Sequence, residues 1–168
     1  MILGEDGRGV EHVVLTQISA RGYPPTWWAL PGGGVDHGES PDATVVREVF
    51  EESGLTVVEH RLVDVHDVHV VERGRADAFE DYHGVHLLYA ARIEGSGLVP
   101  LEVTERGGTT EVARWVPTAT VRQDPPGPLL PAAVHALERL EDYRSSGAGS
   151  SVGPIGPSST GPVDPAGT

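Results

Sequence analysis

Residues 28–55 read WALPGGGVDHGESPDATVVREVFEESGL: three glycines after a proline, then a segment crowded with glutamate. Ser40 suits a helix N-cap, Pro41 the first helical position and Gly54 the C-terminal stop, so the stretch predicts a helix over residues 41–53. On that helix Glu48, Glu51 and Glu52 fall at i, i+3 and i+4 and share a face. Val46, Val49 and Phe50 are expected to pack inward, with Leu55 just past the end. Arg47 precedes Glu51 by four and can hold its carboxylate in one rotamer. The β-branched run Thr44–Val46 weakens the helix intrinsically, so packing must hold it.

Three carboxylates on one face repel one another unless a cation sits among them. An oxygen-only donor set selects a hard ion, magnesium or manganese. The glycines let the backbone approach such an ion and a phosphate closely, and a helix N-terminus favours anions. The combination points to metal-assisted chemistry on a phosphate or diphosphate. Taken alone, REVFEE would read as a solvated face, because glutamate is a good helix former.

The spacing of the whole stretch is more specific. From Gly33 it follows G-x5-E-x7-R-E-U-x-E-E-x-G-U, with U aliphatic, and every fixed position from Gly33 to Leu55 is filled. This resembles the signature box of the Nudix hydrolases, and WALPGGG before it and EVARWVP after it are similar to the family's flanking segments. The resemblance implies an α/β fold, the Nudix α/β/α sandwich with a mixed β-sheet between helices. It implies hydrolysis of a phosphoanhydride bond in a nucleoside diphosphate linked to another moiety, with Mg2+ or Mn2+ as cofactor. By position, Glu48, Glu51 and Glu52 resemble the metal-binding glutamates, and Arg47 the arginine that orients one of them. Gly32 resembles the glycine whose carbonyl can reach a metal; a simple turn is its other reading. Gly33, Glu39 and Trp28 are the substrate-side candidates, with Glu39 nearer a supporting role and Trp27 or Trp28 placed to stack on a base or to pack. For the carboxylate that takes the proton from water, Glu111 is the first candidate and Glu105 the second; each also reads as a solvated loop acid.

The markers that separate substrate classes within the family are mostly missing. Val71 stands where ADP-ribose cleavers often carry proline, and Glu72 and Arg73 where diadenosine polyphosphate cleavers often carry tyrosine. A nucleoside triphosphate, ADP-ribose or a nucleotide sugar all remain open. So does a Nudix-like domain that binds nucleotides as a regulator without cleaving them, although such domains often lose box glutamates and this one has lost none.

Composition agrees with a small-molecule enzyme. The 168 residues carry 12 basic and 25 acidic side chains, a net charge of −13, and all the basic ones are arginine. Such a balance argues against nucleic-acid backbones and anionic membranes as partners, though a bound cation can reverse the field locally. The absence of cysteine excludes disulfides, thiolate metal sites and cysteine nucleophiles. No apolar run is long enough to span a membrane and no signal-peptide pattern opens the chain, so a cytoplasmic protein is expected.

Elsewhere EHVVLTQIS (residues 11–19) reads as a strand, after a segment so short that a strand before it is nearly absent. That shortness leaves a homodimer open, with a strand supplied by the partner. Residues 55–72 are valine-rich with a phase slip between Val65 and Val68, which suggests a bulge or two strands. In YHGVHLLYAARI, Val85, Leu87, Tyr89, Ala91 and Ile93 share one face. A second helix begins near Pro131, with Leu130, Val134, Leu137 and Leu140 toward the core. The domain is taken as residues 1–144, and the Gly/Ser/Pro-rich residues 145–168 as a disordered tail. His66/His69 and His83/His86 have H-x2-H spacing, but on strands each pair points to opposite faces, against a zinc site. Tyr82 flanks a loop that could line a substrate pocket.

Overall fold

The structure is a computed structural model that describes residues 1–73 and 79–147. Its centre is the strand β2 (Glu11–Ile18), with β1 (Leu3–Glu5) and β3 (Trp28–Ala29) along one edge and β6 (Thr110–Pro117) along the other, all antiparallel. Val13, Val14 and Leu15 are each fully buried. Successive side chains of a strand point to opposite faces, so β2 is covered on both sides. Val13 and Leu15 join Trp28, Val116, Val121 and Leu137 in one cluster, while Val14 joins Ile2, Val49, Leu55 and Ile93 in another.

Two helical layers supply that cover. On one side lies α1 (Pro41–Ser53), and on the other α2 (Pro131–Glu138) and α3 (Leu140–Gly147). The ends of α1 are those the sequence predicts. The Ser40 side chain accepts the Ala43 N–H at 3.2 Å, and Gly54 adopts a left-handed φ of 72° while its N–H reaches the Phe50 carbonyl at 2.8 Å. A Cβ at Gly54 would also sit 2.9 Å from the Glu102 carbonyl oxygen, so glycine is required there twice over.

The second sheet is one long antiparallel hairpin, β4 (Val57–Arg73) and β5 (Phe79–Ile93). A single parallel bridge from Ile2 to Ala91 joins it to the central sheet. The named strands thus pair antiparallel, and the mixed character expected of the sheet rests on isolated bridges, this one and Trp28 to Leu129. The short opening segment does form β1, only three residues long.

Three sequence expectations need correction. Val46 and Phe50 are 40% and 50% exposed; the inward face of α1 is Val49 and Ser53, and Glu52 lies within it. Once a carboxylate is turned inward, the apolar residues across the helix are left at the surface. The register of β4 slips at Val58 and Val63, between paired neighbours, and not between Val65 and Val68. In β5, Ala91 and Ile93 pack with the α1-side cluster, but Val85 and Leu87 of the same face are exposed, and it is Leu88 on the opposite face that is buried under α2 and α3. The α2–α3 face toward the core comprises Ala133, Ala136, Leu137, Leu140 and Tyr143.

The bulge at Val63 sets Asp64 beneath those helices. Its Oδ2 accepts the Tyr143 hydroxyl at 2.9 Å and lies 2.9 Å from His135 Nε2 and 3.1 Å from Arg139 Nε. The His135 and Tyr143 hydrogen bonds lower the Asp64 pKa from 3.8 to about 2. Most of the proposed tail lies outside the described residues, and α3 continues to Gly147.

Candidate active site

Glu52 sits between α1 and the central sheet, 6% exposed. Its Oε2 accepts the Gly32 N–H at 2.9 Å and the Thr16 hydroxyl at 3.3 Å, and its Oε1 accepts the Thr110 hydroxyl. Burial pushes its pKa up, against those three hydrogen bonds. β2, β6 and the glycine loop each contribute one donor, so the sheet and the loop together hold this carboxylate. Thr16 and Thr110 carry no sequence signal: each is a hydroxyl in an otherwise ordinary strand, and only the register of β2 and β6 brings both to Glu52.

Arg47 organises the remaining acids. Its guanidinium donates to both oxygens of Glu39 at 2.9 Å, to Glu48 Oε1 at 2.7 Å, to Glu51 Oε2 at 3.0 Å and to the Gly34 carbonyl at 3.1 Å. Glu39 also accepts the Thr44 hydroxyl at 2.7 Å, and these partners, Arg47 first, lower its pKa to about 2. Glu39 therefore works as the anchor of Arg47, ionised through the working pH range. Glu48 is half-buried, and its pKa is raised by burial although Arg47 opposes the shift; the charges of Glu51 and Glu105 add to the rise.

The glycine loop is pressed against this cluster. A Cβ on Gly33 would lie 2.4 Å from Glu48 Oε1, so no larger residue fits without moving that carboxylate. Gly32 contributes its N–H to Glu52. Among the described residues no three acidic or histidine side chains converge closely enough to make a finished metal cage. The cause is visible in the contacts: Arg47 draws Glu48 and Glu51 toward itself, and the strand hydroxyls hold Glu52.

The donor set nevertheless fits a hard divalent cation. All donors are oxygen, and Glu48 and Glu52 are held in surroundings that penalise their charge, the condition a cation relieves.

Of the loop acids, Glu105 is fastened through its N–H to the Glu51 carbonyl at 3.0 Å, and its charge is felt at Glu48. Glu111 is exposed on β6, one residue past Thr110. Trp28 is 1% exposed within the core, with the Arg114 guanidinium 5.3 Å from its ring centre; this ring packs and has no open face for a base. The histidine pairs do not form a cluster able to hold a metal among the described residues. They meet across the hairpin, His66 opposite His86 and His69 opposite His83. His66 stacks on His135 with ring centres 4.2 Å apart.

A cavity of about 530 Å³ opens beside Glu48. The box loop forms one wall, Tyr82, Val85, Leu87 and Tyr89 of β5 another, and Ala132 and Ala133 of α2 a third. Its size is that of a ligand site, and its walls are mostly apolar and aromatic. The Tyr89 hydroxyl is fixed by Asp42 Oδ1 at 3.0 Å.

Known proteins share this chain's sequence pattern and fold. A family model described as the NUDIX domain matches residues 1–140. The chain is 43% identical over 44 residues to an RNA pyrophosphohydrolase of Photobacterium profundum, a match covering 26% of this chain and 25% of that protein. It thus spans about a quarter of the length of that curated relative. The NUDIX domain of Shewanella oneidensis NrtR, solved as a complex with ADP ribose, superposes with a TM-score of 0.63 at 21% identity, covering 85% of this chain and 83% of that one. A MutT NUDIX hydrolase of Burkholderia pseudomallei gives a TM-score of 0.58 at 26% identity, covering 83% and 95%.

Proposed function

Because the chain belongs to the NUDIX domain family, we propose that it hydrolyses a phosphoanhydride bond in a nucleoside diphosphate linked to another moiety, with a divalent cation, Mg2+ or Mn2+. The observation that carries this reading is the carboxylate face of α1, Glu48, Glu51 and Glu52, with Glu48 in the wall of the 530 Å³ cavity and with Glu48 and Glu52 raised in pKa by burial.

Glu48, Glu51 and Glu52 would hold the metal, with the Gly32 carbonyl as a further donor. When bound, the metal supplies charge neutralisation on the diphosphate and acidifies the attacking water. The protein's own groups do the rest. The base lies in the apolar cavity against Tyr82, Val85 and Leu87, which sets the diphosphate over the glycine loop. Arg47, anchored by Glu39, fixes Glu51 and holds Glu48 at the wall of that cavity. The proton of the attacking water passes to a carboxylate at the loop side, Glu105 before Glu111, since Glu105 is tied to the helix and its field reaches Glu48. The net charge of −13 supports a small nucleotide over a nucleic-acid strand as the substrate.

The test is turnover of a nucleotide panel, read by phosphate or monophosphate release, with Mg2+, with Mn2+ and with chelator. Metal-dependent cleavage that Glu105→Gln reduces by about 100-fold or more, and Glu111→Gln much less, is the expected result. Binding without turnover across the panel would instead identify a regulatory domain.

A further inference from the structure

The histidines on the helix-facing side of the hairpin have no part in the hydrolase reading. Alternate residues of a strand share a face, so β4 presents Asp64 and His66 together, opposite Leu88 and His86 of β5. α2 and α3 lie over this face. Leu88 packs with Ala136 and Tyr143, and the His66 ring stacks on that of His135, centres 4.2 Å apart and planes 15° from parallel. Three imidazoles, one each from β4, β5 and α2, thus meet at one joint.

The joint adjoins the cavity beside Glu48. His86 is itself in the cavity wall, with Tyr82, Val85 and Leu87 of the same strand, and α2 gives Ala132 and Ala133 to another wall. The stack of His66 on His135 is therefore a side-chain tie between the hairpin that carries one wall and the helix that carries the next.

That tie suits neutral rings. His135 Nε2 lies 2.9 Å from Asp64 Oδ2, and a carboxylate only accepts, so His135 carries its proton there. His66 Nε2 is buried with no hydrogen-bond partner among the described residues, so a proton added to it would find no acceptor. Spare negative charge is lacking too. Asp64 already takes His135, the Tyr143 hydroxyl of α3 and Arg139 at the end of α2. Asp142 of α3 lies 3.7 Å from the same Arg139, and Arg61 of β4 donates to the Tyr143 carbonyl. On the cavity side the acid in the wall is Glu48, which Arg47 holds, and the Met1 amine donates to the Tyr89 carbonyl. Burial, and then the charge of His66, lower the His86 pKa from 6.5, so its contribution to the fold is full above 6.5 and is lost as pH falls below it.

Taking only the occupant of the cavity from the hydrolase reading, we propose that His66 is a positioning residue: its stack on His135 sets α2 against β5 at the width a nucleotide needs, and protonation of the joint releases that setting. A second positive charge at the joint repels the first, and the rings or the helix give way. Imidazole titrates between about pH 5 and 8, so nucleotide binding weakens on the acid side of neutrality. α1 packs through Val49 on the other face of the central sheet and is fastened there separately, so kcat is untouched by the joint.

His66→Phe keeps a ring to stack on His135, takes no proton and removes an unpartnered buried nitrogen, so its Tm near neutral pH should match or exceed the parent's. Binding of ADP with Mg2+ is measured by calorimetry in both full chains at about pH 7.5 and 5.5, with hydrogen exchange of the α2 amides against those of α1. On acidification the parent's Kd should rise about fivefold or more beyond the rise in His66→Phe. Its α2 amides should lose about tenfold in protection that the variant keeps. Glu48, Met1 and ADP are common to both chains, so their titration cancels in the comparison. His135→Gln, which keeps a donor for Asp64 without a titrating ring, should flatten the acid limb in the same way. In turnover the difference should fall on KM and leave kcat alone. An acid limb as steep in both variants as in the parent, or equal loss of α2 protection, overturns the inference and leaves the hydrolase reading intact. Binding of ADP with the expected acid limb but no turnover of any nucleotide overturns the hydrolase reading and leaves this inference standing. No binding of ADP near neutral pH overturns both.

Discussion

Replacing Glu52 separates its role in the fold from its role in chemistry. In Glu52→Gln the amide oxygen can take the place of Oε2 and accept from Gly32 and Thr16, while the amide nitrogen donates to Thr110, whose hydroxyl turns to accept. A buried charge is lost and no donor is orphaned, so metal-free stability should stay within about 1 kcal/mol of the parent. Because burial raises the Glu52 pKa, its ionisation opposes folding; stability is greatest below the ordinary carboxylate range and is lost as pH rises through the raised value. Above that value the Gln variant should equal or exceed the parent. In Glu52→Ala the two hydroxyls can turn elsewhere but the Gly32 N–H cannot, and one orphaned donor costs about 1–3 kcal/mol. At roughly 2–4 °C per kcal/mol for a chain of this size, Tm should fall by about 2–12 °C. A divalent cation at a hundred times its Kd should stabilise the parent by about 2.7 kcal/mol. Both variants should lose most of that gain, and activity by about 100-fold or more. Thermal melts with and without Mg2+, together with turnover, decide the matter. Full metal stabilisation and full activity in Glu52→Gln would refute the assignment of Glu52 as a ligand.

Other substitutions probe the supports. Gly33→Ala should fold but displace Glu48, reducing kcat by roughly 10–100-fold, the range for a disturbed ligand shell, with Tm unchanged on melting. Arg47→Lys should lower both Tm and metal affinity, since a single ammonium cannot span Glu39, Glu48 and Glu51 together; unchanged metal titrations by calorimetry would contradict this. Asp64 has a depressed pKa, so its contribution is full above the ordinary 3.8 and is lost as pH falls toward about 2. Urea unfolding should show a steeper loss of stability between those values in the parent than in Asp64→Asn.

The sequence disclosed what depends on neighbours along the chain. The helix 41–53 carries its own stop signals in Ser40, Pro41 and Gly54, and the spacing of Arg47, Glu48, Glu51 and Glu52 needs only helical periodicity. What it hid depends on partners far away in sequence. Val46 and Phe50 look like core until the sheet is known to lie on the other side of Val49. The strand β2 is legible as a strand, but that both its faces are covered depends on helices far apart in the chain that flank it. Trp28 beside a glycine loop leaves stacking on a base and packing both open; the bridge to Leu129 and the cover of Leu137 make it core. The threonines that hold Glu52 are distinguished only by strand register.

The C-terminus of α1 is finished by a distant segment. The Ser53 carbonyl accepts the Glu102 N–H at 3.0 Å, and the Glu51 carbonyl accepts the N–H groups of Thr104 and Glu105 at 2.8 and 3.0 Å. These are main-chain fastenings, indifferent to side-chain identity. On the other side of the loop tip, Thr110 returns the chain to β6. Thr109 is itself fastened, its carbonyl accepting the Ser19 N–H at 2.7 Å, so residues 106–108 hang between two fixed posts. Mutations there can accumulate without loosening the carboxylate helix. The loop can therefore vary in sequence and length while the helix that carries Glu48, Glu51 and Glu52 keeps its place on the sheet.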